Sequence, residues 1–242
     1  MGNFKTMEVL SLQLECVERY QDNLDALIHK IEKNPHKDLV IAPEVCLTGF
    51  DYIHLKTAAR FSAKALKLLK KIVNDQIVVL TVVLEEKAGF VNRAVVIHKH
   101  KIVHKQDKFK LFALGNETLY FVAGKKKQIK PFQIEGVTYA ILICFELRFK
   151  ALWKQIEGAD VVIVPARWGL PRKQHLEILS RALAVMNQCY VVVSDSRDVD
   201  MACSSAIISP NGDMIKNDDA DGIEGSIDFR EIKKIRRYIV MN

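Results

Sequence analysis

The sequence predicts an α/β fold in one domain, with sheets stacked on each other and helices outside. Three observations lead there. Apolar runs and amphipathic helical stretches alternate along all 242 residues with no long linker between them. A late run of strands fits stacked sheets better than a doubly wound sheet. Finally, the chain carries no Gly-x-Gly-x-x-Gly loop of the kind a nucleotide-binding fold places after a strand.

The elements follow in order. Residues 7–14 alternate apolar and polar side chains as a half-buried strand does. Residues 19–33 read as a helix, because Leu24, Leu27, Ile28 and Ile31 recur on one face. Residues 39–42 form a short buried strand, and residues 53–73 a lysine-rich amphipathic helix. Three strands come next, at 77–85, 90–98 and 101–105, with His98-Lys-His-Lys101 as the hairpin between the last two. Residues 108–124 mix polar and aromatic side chains without a period and read as a structured loop. Strand, helix and strand recur over 139–144, 147–157 and 160–164. A helix over 172–187 leads into the strand 190–194. Residues 204–209, a turn at Pro210-Asn-Gly-Asp213 and residues 223–228 close the sheet region, and a short basic helix ends the chain.

Bulk composition excludes several classes of function. With 49% hydrophobic and 27% charged residues the chain can bury a sizeable core. Its longest clean apolar run, 77–84, is far short of the ~20 residues of a membrane span. Residues 1–8 carry charge where a signal peptide needs an apolar core, so a cytoplasmic protein is expected. The five cysteines are odd in number, widely spaced and free of Cys-x-x-Cys pairs, which argues against a disulfide framework or a structural zinc site. Cys16, Cys46, Cys189 and Cys203 read as small buried hydrophobes. The net charge of +7 invites a nucleic-acid partner. The basic residues are scattered, however, outside 125–127 and 233–237, and no stacking aromatics interleave with them, so they read as solvated surface. The seven histidines show no His-Glu-x-x-His pattern, and no metal is expected.

Four residues carry candidate chemistry. Cys144 ends the apolar run of a buried strand and is followed at once by Phe-Glu-Leu-Arg148. A core thiol is the competing reading, but a core would not absorb Glu146 and Arg148 easily. Glu44 ends Asp38-Leu-Val-Ile-Ala-Pro-Glu44, where proline sets a bend at the strand end. Partly desolvated there, it suits proton shuttling; otherwise it is a surface turn carboxylate. Lys108 in Lys108-Phe-Lys-Leu-Phe112 and Glu117 in Gly115-Asn-Glu-Thr are individually weak. Thiol, carboxylate and ammonium are nonetheless the parts needed to cut an amide through a thioester. Only a fold can join residues so far apart in sequence.

Together these stretches resemble the nitrilase superfamily of carbon–nitrogen hydrolases. Leu39-Val-Ile-Ala-Pro-Glu44-Val-Cys-Leu-Thr-Gly49 resembles its glutamate motif, Lys108-Phe-Lys-Leu-Phe112 its lysine motif, and Ile143-Cys144-Phe-Glu-Leu-Arg148-Phe its cysteine motif. The match extends through residues 158–168, 181–190 and 205–212, and spans about 10–236. The resemblance implies an α-β-β-α sandwich paired across a two-fold axis, with no metal or organic cofactor. It makes Cys144 the nucleophile, Glu44 the proton shuttle and Lys108 the oxyanion stabiliser, with Glu117 as the second glutamate orienting substrate and lysine. Phe145, whose N–H would join the oxyanion site, Arg167 and Trp168 are placed around the substrate.

Four positions depart from the family pattern. Arg167 replaces a common asparagine, Lys150 a frequent proline, Cys203 a glycine, and Gln106-Asp107 an aromatic–basic pair. None removes a catalytic atom. The expected reaction is hydrolysis of a small linear amide, with the ω-amide of a dicarboxylic acid as one candidate. Arg167 has two readings there, a clamp on the substrate carboxylate or a structural ion pair. An N-carbamoyl amidohydrolase is the alternative enzyme, and a catalytically silent nitrilase-like binding protein the alternative outside enzymes. A homodimer or higher homo-oligomer is expected, with residues 229–242 at the interface, because Ile232, Ile235 and Ile239 form one apolar side of the last helix.

Overall fold

A computed structural model describes residues 6–241, so residues 1–5 of the charged N-terminal stretch and Asn242 lie outside the described residues. The chain begins β1 (Thr6–Leu12), α1 (Tyr20–Lys33), β2 (Leu39–Ile41), α2 (Leu55–Ile72), β3 (Ile77–Glu86), β4 (Gly89–His98) and β5 (Lys101–Asp107). A four-residue α3 (Glu117–Tyr120) precedes β6 (Phe132–Ile134), β7 (Val137–Ile141), α4 (Lys150–Gln155) and β8 (Val161–Pro165). Then come α5 (Lys173–Asn187), β9 (Tyr190–Ser194), β10 (Ala206–Ile208), β11 (Met214–Lys216), β12 (Gly222–Asp228) and α6 (Phe229–Tyr238).

The strands form two six-stranded sheets, ordered β12-β1-β2-β3-β4-β5 and β11-β10-β9-β8-β7-β6. Each has a parallel centre, β1-β2-β3 in one and β7-β8-β9 in the other, with antiparallel strands on both flanks. Alternation along the central strands explains the layers. Val9, Leu39, Ile41 and Val79 join the core shared with the second sheet, while Leu10, Val40, Val78 and Leu80 pack with Leu24, Leu27, Leu66 and Leu69 of α1 and α2. On the far side, Leu152 of α4 and Leu176, Leu183 and Ala184 of α5 complete the core of the second sheet. The result is the expected α-β-β-α sandwich.

Hydroxyls stitch the sheets where the parallel strands end. Ser194 Oγ donates to the Leu12 carbonyl at 2.6 Å and the Ile41 carbonyl at 3.1 Å, Ser205 Oγ reaches Leu12 O at 3.1 Å, and Ser11 Oγ donates to Val193 O.

Several sequence expectations change. The strand expected to deliver Cys144 stops at Ile141, and Cys144 instead opens a 3-10 turn, Cys144–Arg148, that takes over the start of the expected helix at 147–157. β6 and β11 are three-residue strands too short to show periodicity. The loop after Lys108 contains α3. β12 crosses to pair with β1 and closes the first sheet. Cys46 and Cys189 are buried, but Cys16 and Cys203 are only half-buried. The apolar strip on α6 is also shorter than expected: Ile232 is buried in the chain's own core, Ile235 half-buried and Ile239 exposed. Lys99 and His100 build the hairpin in left-handed backbone, φ 47° and 62°, the geometry of a tight turn that matches strand twist.

Ser194→Ala leaves the buried Ile41 carbonyl without its cross-sheet donor and the Leu12 carbonyl with Ser205 Oγ alone across the seam. It should cost about 1–3 kcal/mol, read as a lower urea midpoint with unchanged m-value. An unchanged midpoint would remove the hydroxyl seam from the account of how the sheets are held.

Candidate active site

Glu44, Lys108 and Cys144 each stand just beyond a strand end, the usual location for ligands in sheets of this kind. Glu44 follows β2, and its N–H donates to Ala166 O at 3.1 Å, reaching the loop after β8. The next residue, Val45, sits at φ 46°, held by an N–H donated to Thr81 Oγ1 at 2.6 Å. Cys144 itself has φ 46°. Left-handed backbone at non-glycine residues costs about 1–3 kcal/mol and is held in place only by its surroundings. Here it turns the chain sharply so that the thiol stands at the strand end rather than in the sheet.

Lys108 follows β5 and is pinned by its main chain on both sides. Its N–H donates to Asn92 O and its carbonyl accepts from Gly124 N–H, both at 2.8 Å. A Cβ at Gly124 would collide with the Asp107 carbonyl, so glycine is required for this approach.

The four sequence-predicted residues converge. Lys108 Nζ lies 2.7 Å from Glu44 Oε1 and 2.6 Å from Glu117 Oε1, with all three side chains buried. Asn92 Nδ2 donates to the same Glu44 Oε1 at 2.8 Å, and Phe112 N–H to Glu117 Oε2 at 3.2 Å. The second Glu44 oxygen, Oε2, is buried with no hydrogen-bond partner among the described residues. An ammonium has three N–H donors, so Lys108 keeps one beyond its two carboxylates.

Electrostatics separate the groups. Burial alone would push the Lys108 ammonium down, but the Glu44 and Glu117 carboxylates outweigh it and hold the lysine charged. Burial, with the Glu44 charge adding to it, lifts Glu117 to about 7 against the pull of Lys108. The Cys144 thiol is raised well above its ordinary value, first by burial and then by Glu44; Lys108 and the Arg167 N–H pull it down less strongly. The resting group is therefore a neutral thiol beside a charged lysine. Among the described residues, no cluster of three or more His, Cys, Asp or Glu side chains is arranged to hold a metal ion.

A small pocket opens onto Cys144, lined by Phe112, Phe145, Arg148, Arg167, Trp168 and Arg172 among others. Arg167 pairs through Nη2 with Asp198, while its Nη1 is buried with no hydrogen-bond partner among the described residues. Two other arginines line the pocket without a carboxylate partner. Arg148 stacks over Trp168 at 4.8 Å and meets His175 Nδ1 at 3.0 Å, while Arg172 lies 5.5 Å above Phe112. Among the described residues neither has a carboxylate within 4.0 Å. Burial and the Arg172 charge lower Arg148.

Sequence reasoning missed four contributors. Asn92 lies mid-strand with no motif around it, and Arg172 starts a helix where a basic residue raises no signal. Asp195 is buried and lifted to about 7 by desolvation, and it holds the Trp168 N–H at 2.8 Å and the Ser204 N–H at 3.2 Å. Glu146 appeared only as an awkward neighbour of Cys144; it is fully buried.

A model of the carbon-nitrogen hydrolase family matches residues 12–237. The chain is 30% identical over 223 residues to the 2-oxoglutaramate amidase of Bacillus subtilis (strain 168), covering 86% of this chain and 85% of that protein. It is 27% identical to omega-amidase YafV of Escherichia coli (strain K12), over 82% and 79% of the two chains. The crystal structure of an amidase from Nesterenkonia sp. superposes with a TM-score of 0.83 at 17% identity, covering 98% of this chain and 97% of that one, a likeness of fold.

Thiol titration tests the electrostatics. At pH 7 Cys144 should react with iodoacetamide more slowly than a solvated cysteine, since only thiolate attacks. Lys108→Ala should push the reactive limb to higher pH and Glu44→Gln should bring it lower. Fast alkylation of Cys144 at neutral pH, or no movement in either variant, would contradict the charge arrangement.

Proposed function

The chain belongs to the carbon–nitrogen hydrolase family, and from that premise we propose that it hydrolyses the ω-amide of a small dicarboxylic acid through a thioester on Cys144. The observation that carries the substrate class is the pair of guanidinium groups without a carboxylate partner, Arg148 and Arg172, on the pocket that holds the thiol. Two neighbouring cations cost energy until an anion arrives, and a carboxylate at the far end of a short chain would place the amide over Cys144. The names carried by the similar amidases of Bacillus subtilis and Escherichia coli agree with that class. The carboxylate clamp moves from Arg167, which has Asp198, to these two arginines.

In the proposed cycle Glu44 Oε2 takes the Cys144 proton as sulfur attacks the amide carbon. The free N–H of Lys108 and the N–H of Phe145 hold the oxyanion, each donor lowering the barrier by ~3–4 kcal/mol in a dry site. Collapse breaks the C–N bond, and the proton on Glu44 leaves with ammonia. Water then gives a proton to Glu44 and attacks the thioester; the acid departs and the proton returns to sulfur. Glu117 keeps the Lys108 ammonium aimed at the oxyanion, and Phe145 and Trp168 wall the pocket.

We take residues 1–242 as one catalytic domain that works as a homodimer. Supporting that, Ile178, Val185 and Met186 of α5 and Tyr238, Ile239, Val240 and Met241 at the C-terminal end are exposed apolar side chains that a partner subunit would cover. Residues 229–242 would then lie at the interface. Five free cysteines suit the reducing cytoplasm. No helix among the described residues is long and apolar enough to cross a membrane.

Ammonia release from a panel of amides tests the reading. Acid-bearing ω-amides should exceed neutral amides of equal length in kcat/KM. Carbon dioxide released alongside ammonia would point to a carbamoyl substrate, and no release from any amide to a silent protein. Arg172→Gln should lower kcat/KM for acidic amides by roughly tenfold to a hundredfold, about 1.5–3 kcal/mol, and spare neutral ones. Arg167→Asn should lower stability and both substrate classes alike. Equal losses for acidic and neutral amides in Arg172→Gln would sink the clamp. Sedimentation at micromolar concentration should give twice the chain mass; a single-chain mass would rule out the dimer.

A further inference from the structure

Glu146 is a buried carboxylate that the catalytic cycle does not use. No cationic side chain among the described residues lies within 4.0 Å of it; its charge is met by main-chain donors. Ile143 N–H reaches Oε2 at 2.7 Å, Phe109 N–H reaches Oε1 at 2.6 Å, and Lys110 N–H approaches Oε1 at 3.4 Å. Ile143 is the residue before the nucleophile, and Phe109 and Lys110 are the two after the lysine. One carboxylate therefore holds the thiol turn with one oxygen and the ammonium loop with the other.

We propose that Glu146 is a positioning residue that sets the Lys108 ammonium in place against the Cys144 thiol. Capping the 3-10 turn does not explain it. The Ile143 contact alone satisfies that local role, and the contact to a segment 37 residues away adds nothing to the turn. Packing alone does not explain it either, because a leucine would fill the space without a buried charge. Burial pushes this carboxyl up to about 7, so the main-chain donors are needed to keep it ionised near neutrality. Side-chain chemistry then limits what can replace it. In glutamine one end becomes a donor and faces either the Ile143 N–H or the Phe109 N–H. Aspartate keeps both acceptors but is one methylene short of spanning the gap.

The proposal rests on the Cys144–Lys108 reading of the site, and its test separates the two. Kinetics of Glu146→Gln and Glu146→Asp on an ω-amide should show kcat down about 10- to 100-fold in the glutamine variant with KM within about twofold, since misplacement of about an ångström costs that much. The aspartate variant should recover part of the loss. Thermal midpoints identify any share due to unfolding, and if the glutamine variant does not fold, the aspartate variant decides. The second arm uses no substrate: the effect of Lys108→Ala on Cys144 alkylation should largely vanish in the Glu146→Gln background, as coupled residues require. A kcat within twofold of the parent in a folded variant, or a Lys108 effect that survives Glu146→Gln unchanged, would overturn the inference. An absence of amidase activity in the parent would count against the proposed reaction and leave the alkylation arm to judge Glu146.

Discussion

The constraint on which the rest depends is a lysine ammonium buried between two carboxylates. Lys108 Nζ sits within 2.7 Å of both Glu44 and Glu117, and none of the three is exposed. Bringing one cation and two anions out of water is costly, and the cost is offset only if every charge keeps close partners. Asn92 and the Phe112 N–H provide them for the carboxylates. Lys108 is fixed by Asn92 and Gly124 through its main chain, so the ammonium cannot drift toward solvent. Among the described residues Glu44 Oε2 and Asn92 Oδ1 are left without partners in this network, and the carboxylate oxygen is the one that can receive a proton.

The sandwich exists to hold such a cluster. No single segment could supply it, because the participants follow β2, β5 and β7 in two different sheets. Stacking the sheets face to face, with Ser11, Ser194 and Ser205 bonded across the seam, brings those strand ends to one place. The buried carboxylates Glu146 and Asp195 then hold the connecting loops by their N–H groups. Burial makes these ties strong and also raises both acids to about 7, so the same desolvation that dries the site places its supports near their titration range.

What was legible in the sequence follows from how local each signal is. Helices α1, α2 and α5 and the strands around 77–98 announce themselves by period, since each buries a face over ten or more residues. β6 and β11 are too short for any period. The end of the strand before Cys144 was misplaced because Leu142 and Ile143 are as apolar as a strand yet serve the turn. Glu44, Lys108, Glu117 and Cys144 were found through motifs and their order; spacing alone could not show that they touch. Asn92, Arg172 and Asp195 carry no local signature, and their contacts join residues far apart in the chain. Arg167 was visible as an oddity, but its partner Asp198 was not, so a paired arginine and a free one looked alike.

The most direct measurement is the mass of intact protein quenched during turnover of an ω-amide, followed by peptide mapping. An acyl group should appear on Cys144 and on none of Cys16, Cys46, Cys189 or Cys203, and Cys144→Ala should form neither adduct nor ammonia. An adduct on another cysteine with Cys144 unmodified, or ammonia release by Cys144→Ala at the parent rate, would contradict the account.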